Sequence, residues 1–176
     1  MANTEDDKDK ESYILVVDDD ETLLKFFKIH LNKFVSKIVV VKNAREAVNL
    51  LQEKKIDLVI SDIRMPRLDG VQLMKKVKNF DPSIPVFLVS GAMLDDSQIE
   101  AVENKADGFL KKPFSIDDLD GFLKEGLRVS EIYRELFPLV GDKKKFLNLI
   151  RGKSFPKMAP EDKDKAKGLM ERLKAS

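Results

Sequence analysis

Two hydrophobic rhythms alternate along the chain. Short, nearly unbroken apolar runs occur at Ile14–Val17, Ile38–Val41, Ile56–Ser61 and Pro85–Ser90, with a shorter one at Gly108–Leu110. Runs of this kind read as strands buried on both faces, as parallel strands are. Between them, apolar positions recur at helical spacing: Leu23, Leu24, Phe27 and Leu31 over 21–33, then Ala47, Val48, Leu50 and Leu51. The segments Asn43-Ala-Arg-Glu46, Asp95-Asp-Ser-Gln98 and Ser115-Ile-Asp-Asp118 have the form of helix starts, with a short polar residue three positions ahead of an acid or amide. Pro66 and Gly70 punctuate a loop before a short helix over 71–78. Five strands alternating with five helices predict an α/β fold with a parallel sheet covered on both faces. In such sheets ligands bind at the carboxyl ends of the strands.

The chemically capable residues fall at those ends. Asp18, Asp19 and Asp20 follow the first strand, Asp62 the third, Ser90 closes the fourth, and Lys112 with Pro113 follows the fifth. A single acid at a strand end is most simply a helix N-cap, and Asp20 is expected to cap the first helix. Acids, a hydroxyl and an ammonium converging from four strands need another explanation. Carboxylates with water and backbone carbonyls suit a hard cation such as Mg²⁺. A carboxylate beside such a cation can attack a phosphoryl group, and a lysine and a hydroxyl can neutralise the transferred oxygens.

The stretches Val16-Val-Asp-Asp19, Asp57-Leu-Val-Ile-Ser-Asp-Ile-Arg-Met-Pro-Arg-Leu-Asp-Gly70, Val89-Ser-Gly-Ala92 and Lys111-Lys-Pro-Phe114 resemble, in order and spacing, the receiver domain of bacterial two-component response regulators. The likeness spans residues 13–130. It implies a flavodoxin-like, doubly wound five-stranded parallel sheet in the order 2-1-3-4-5. It further implies that Asp62 is the phosphoacceptor. Asp18, Asp19, Asp62 and the backbone carbonyl of Arg64 would hold Mg²⁺. Ser90 and Lys112 would contact the phosphoryl group, and Phe109 would be the aromatic switch. The implied donor is a sensor histidine kinase or a histidine phosphotransfer protein. The implied output is a protein partner on the face formed by the fourth helix, fifth strand and fifth helix. The chain is then expected to be a switch and not an enzyme. Phe109 carries no hydroxyl, so burying it strands no donor; an inward ring is expected to be well populated even before phosphorylation.

Asp18-Asp-Asp-Glu-Thr22 also fits the nucleophile motif of haloacid-dehalogenase-like phosphatases, with Asp18 as nucleophile and Asp20 as acid/base. That reading leaves the loop from Asp62 to Gly70 unexplained. His30 reads as an ordinary surface or half-buried histidine. Phe26, Phe27 and Phe34 read as packing groups, and so does Met65.

Composition narrows the remaining classes. The chain of 176 residues has a formal net charge of +1, so bulk charge points to neither nucleic acid nor membrane. It contains no cysteine, which excludes disulfides and thiolate metal sites and suggests a reducing, cytoplasmic setting. No apolar run approaches the roughly 18 residues that would span a bilayer. Charge is unevenly placed. Residues 1–12 form an acidic arm expected to be disordered, while residues 141–176 hold eleven Lys and Arg against five acids. Residues 131–176 read as a basic, helical extension. Leu119, Leu123, Val129, Tyr133, Leu136 and Val140 continue one apolar stripe, which could pack on a partner subunit in a homodimer or fold back on its own domain. Helices are expected near 142–150 and from Pro160. The extension's charge leaves a DNA-binding transcriptional regulator as the alternative output, although lysines such as Lys143–Lys145 usually form a solvated face.

Overall fold

A computed structural model describes residues 12–35, 37–91 and 93–175. The acidic arm lies outside these residues except for Ser12. The elements run β1 (Ser12–Val17), α1 (Glu21–Leu31), β2 (Ile38–Val41), α2 (Ala44–Glu53), β3 (Lys55–Asp62), α3 (Gly70–Phe80), β4 (Val86–Ser90), α4 (Asp96–Lys105), β5 (Gly108–Lys111), α5 (Ile116–Val140), α6 (Lys143–Ile150) and α7 (Pro160–Lys174). The strands form one parallel sheet in the order β2-β1-β3-β4-β5.

Strand alternation sorts the core into two layers. Ile14, Val16, Leu58, Ile60, Phe87 and Val89 face α1 and α5, where Leu24, Phe27, Leu119 and Leu123 meet them. Leu15, Val17, Val59, Val86 and Leu88 face the opposite layer, with Ala47, Leu51, Leu73, Met74 and Val77 of α2 and α3. Burying each large side chain contributes roughly 1.5–3 kcal/mol of transfer free energy, so the apolar strand runs dominate the fold. Helix starts follow the sequence cues. Asp95 with Gln98 and Ser115 with Asp118 form complete capping boxes. Asn43 accepts from the Glu46 amide, but Glu46 takes the Asn43 side-chain amide in place of the backbone one, so that box is half made.

α5 continues through residue 130 for 25 residues and ends at Gly141, whose φ of 65° is the left-handed cap that glycine adopts without strain. The boundary read at 130/131 therefore falls inside a helix. Beyond it, the apolar stripe turns inward on its own chain. Val129, Ile132, Tyr133 and Leu136 share one buried cluster with Phe146 and Leu149 of α6 and with Ala166, Leu169 and Met170 of α7. Phe146 is wholly buried and meets the rings of Tyr133 and Phe137 edge-on, each with centroids 5.2 Å apart. Two cations fasten the extension to helix ends. Lys143 donates to the carbonyls of Asn79 and Phe80 at the end of α3, and Arg128 donates to those of Arg172 and Leu173 at the end of α7. Among the described residues no helix is long and apolar enough to cross a membrane.

Candidate functional site

β1, β3, β4 and β5 end together and deliver Asp18, Asp62, Ser90 and Lys112 to one cleft. The register that does this is tied by the Ile63 amide donating to the Val89 carbonyl at 2.8 Å and the Lys112 amide to the Ser90 carbonyl at 2.9 Å. Asp18 and Asp62 are 2% and 7% exposed. The Lys112 ammonium bridges them, 2.8 Å from Asp62 and 3.2 Å from Asp18. The other Asp18 oxygen accepts the Asp20 amide at 2.9 Å. The cleft thus holds two buried carboxylates against one ammonium.

That imbalance shows in the proton affinities. Burial pushes the Asp62 carboxyl above its ordinary range, and the Asp18 charge adds to this, against the opposing pull of Lys112. For Lys112, burial favours the neutral amine, but the Asp62 hydrogen bond and the two carboxylate charges outweigh it and raise its pKa.

Ser90 is 1% exposed, and its Oγ has no hydrogen-bond partner. An unpaired buried hydroxyl costs about 1–3 kcal/mol, so Ser90 is a donor that the chain itself does not satisfy. Gly70 makes the loop fit. A Cβ there would lie 2.2 Å from the Asp62 carbonyl oxygen, so only glycine lets the start of α3 close against the strand end. The sequence signal was available in Asp69-Gly70, which reads as loop punctuation alone. Asp69 caps α3 in a full capping box with Gln72.

The remaining predicted residues stand at the rim. Asp19 is exposed and lines a neighbouring cleft of about 880 Å³ with Lys42, Arg45 and Arg67. Arg64 is exposed and donates to the Met93 carbonyl at 2.5 Å. Among the described residues no three acidic or histidine side chains lie close enough to hold a metal in this arrangement, and Lys112 stands between Asp18 and Asp62. The donor set is nonetheless the all-oxygen kind that a hard cation takes. Asp20 accepts the Thr22 and Leu23 amides, so its carboxylate is committed to capping α1 and is unsuited to the acid/base role of the phosphatase motif. Phe109 is 38% exposed. The ring found is not the fully inward one: β5 is an edge strand, so Phe109, beside Leu88 on the face that α3 and α4 cover, has a strand neighbour on one side only. His30 is buried, not half-exposed, between Phe26 and Lys33.

The sequence profile of the response regulator receiver domain matches residues 14–124. The chain belongs to the response regulator receiver family. Among curated relatives it is 34% identical over 137 residues to the transcriptional regulatory protein ZraR of Klebsiella oxytoca, covering 73% of this chain and 31% of that protein. It is 28% identical to the alkaline phosphatase synthesis transcriptional regulatory protein PhoP of Bacillus subtilis, covering 68% of this chain and 50% of that one. The chain thus spans about a third to a half of the length of these relatives. A response regulator receiver domain protein from Clostridium thermocellum has the same fold, with a TM-score of 0.62 and 27% identity over 69% of this chain and 98% of that one.

Proposed function

We propose that this receiver takes a phosphoryl group from the phosphohistidine of a sensor kinase or phosphotransfer protein onto Asp62, and signals the change to a protein partner. The buried Asp62 carboxylate, hydrogen-bonded to Lys112 and with the unpartnered Ser90 hydroxyl at the end of the neighbouring strand, is the observation that carries this reading. An Asp62 carboxylate oxygen attacks phosphorus as the phosphorus–nitrogen bond of the donor imidazole breaks, leaving the histidine neutral once it recovers a proton. Lys112 pairs with the phosphoryl oxygens, and Ser90 donates its hydroxyl to one of them. Asp18, Asp19, Asp62 and the Arg64 carbonyl would hold Mg²⁺, which when bound supplies positive charge to the transferring oxygens. Positioning and charge do most of the work in such a transfer. The chain is then a phosphoacceptor and switch, not an enzyme acting on a separate substrate, and its setting is the cytoplasm.

The output face comprises α4, β5 and α5, where Ile99, Phe109 and Ile116 are exposed, with Met93 exposed in the loop ahead of α4. The curated relatives are named as transcriptional regulators, but the match covers only part of each. No feature of α6 or α7 favours DNA over protein. Lys143, one of the basic residues, is already engaged in capping α3.

Acetyl phosphate with Mg²⁺ tests the reading. Wild-type protein is expected to label, and Asp62→Asn is not. Labelling that persists in Asp62→Asn and vanishes in Asp18→Asn would overturn it in favour of the phosphatase-like assignment.

A further inference from the structure

A second charged cluster lies at the opposite end of the sheet, where phosphoryl chemistry makes no use of it. Asp107, the residue before β5, has a side chain only 6% exposed. Its Oδ2 accepts from the Val86 amide at 2.7 Å and from the Lys78 ammonium at 2.6 Å. Its Oδ1 accepts from the Tyr133 hydroxyl at 2.7 Å. Lys78 also donates to the carbonyls of Ile84 and Pro82, so all three of its protons are used. One carboxylate thus ties β5 to β4, to the end of α3 and to α5 beyond the segment that the family profile matches.

These links differ in strength. If Asp107 left Lys78 and Val86, a buried ammonium would lose its countercharge and a buried amide its acceptor, which is among the costliest changes a fold can suffer. The Tyr133 link is a single neutral donor. Tyr133 lines a cleft of about 560 Å³ between Glu100 and Glu103 of α4 and Arg151 and Lys153 after α6. Water there can take up the hydroxyl once it is released. Any displacement of β5 therefore keeps Asp107 with Lys78 and strains the bond to Tyr133. The Tyr133 ring packs edge-on against Phe146 of α6, so that strain reaches the extension directly.

β5 is also the strand tied to the proposed phosphoacceptor. It holds Phe109 two residues after Asp107 and runs into Lys112, the partner of Asp62. We infer that Tyr133 latches the C-terminal helices to β5 through Asp107, and that phosphorylation of Asp62 opens this latch and loosens α6 and α7. The inference rests on the reading of Asp62 as phosphoacceptor.

Hydrogen exchange on the full chain, with and without beryllofluoride and Mg²⁺, tests it. In wild-type protein the ligand is expected to slow exchange in β4 and β5 and to speed it roughly fivefold in 143–174, the factor that one hydrogen bond of local stability supplies. Tyr133→Phe keeps the ring and deletes the hydroxyl. Its extension should exchange faster before any ligand is added and change little afterwards, while β4 and β5 respond as before. A response in β4 and β5 with none in 143–174 of the wild type would overturn the latch, whether or not the variant folds. A wild-type response in Tyr133→Phe would overturn the role of its hydroxyl. Silence in β4 and β5 as well would instead overturn the phosphoacceptor reading beneath it.

Discussion

The two ends of the sheet solve opposite problems with the same residue types. At the carboxyl ends, Asp18 and Asp62 share one ammonium, and Ser90 Oγ has no partner. At the amino ends, Lys78 and Asp107 pair one to one, and the Tyr133 hydroxyl, the Val86 amide and two carbonyls complete their hydrogen bonding. A buried polar group costs stability unless it is satisfied. The amino end is satisfied by the chain itself, whereas the carboxyl end is not; under the proposed function a cation and a phosphoryl group would complete it. Removing a charge should therefore have opposite consequences at the two ends.

The largest effect is expected at the amino end. Asp107→Asn leaves the Lys78 ammonium buried without a countercharge, and breaking such a pair costs about 3–5 kcal/mol. Urea titration should show a lower midpoint at an unchanged slope. A midpoint like that of the wild type would mean that water already satisfies Lys78, and the contrast between the ends would fail.

An intermediate effect is expected from Mg²⁺ at the carboxyl end. An ion that binds only the folded protein stabilises it by about 2.7 kcal/mol at a hundredfold excess over Kd. The melting temperature should rise with Mg²⁺, and Asp19→Ala should blunt that rise strongly. An equal Mg²⁺ response in the variant would remove Asp19 from the ligand set.

The smallest effect is the most diagnostic in sign. Because the Asp62 carboxyl is raised, the folded protein holds that proton more tightly than the unfolded chain does. The group's contribution to stability is full below the ordinary aspartate pKa of about 3.9 and is lost as pH rises through the raised folded value. At neutral pH the charged carboxylate therefore weakens the fold. Asp62→Asn should melt a few degrees above wild type at pH 7, with the gap closing as pH falls toward 4. A variant less stable than wild type at pH 7 would show Asp62 to be a structural partner of Lys112 first.

The same contrast explains what could be read along the chain. The carboxyl-end site was legible because each member follows directly on an apolar strand run: Asp18 on Ile14–Val17, Asp62 on Ile56–Ser61, Lys112 just after Gly108–Leu110. Strand direction alone then brings them together. The amino-end cluster was not legible. Lys78 looks like any lysine near a helix end, and Asp107 looks like a turn residue; only the placing of the α3 end beside the amino ends of β4 and β5 makes partners of them. The stripe through Tyr133 and Leu136 was visible, but a stripe does not say which surface it covers. That depended on Phe146 docking from α6, a contact made after the Gly141 reversal. Phe109 was assigned by position, yet its exposure reflects the edge placement of β5, and residue type carries no such information. His30 is a similar case: besides Phe26 and Lys33 of its own helix it faces Asp120 of α5 at 3.7 Å, a neighbour that its place in the sequence does not announce.

Whether Asp62 carries the phosphoryl group, as proposed, can be read directly by chemical trapping. Protein treated with acetyl phosphate and Mg²⁺ can be reduced with borohydride, which converts an aspartyl phosphate to homoserine, and then mapped by peptide mass spectrometry. Homoserine at position 62 alone is the expected result; homoserine at position 18, or none at either position in protein that has taken up phosphate, would contradict it.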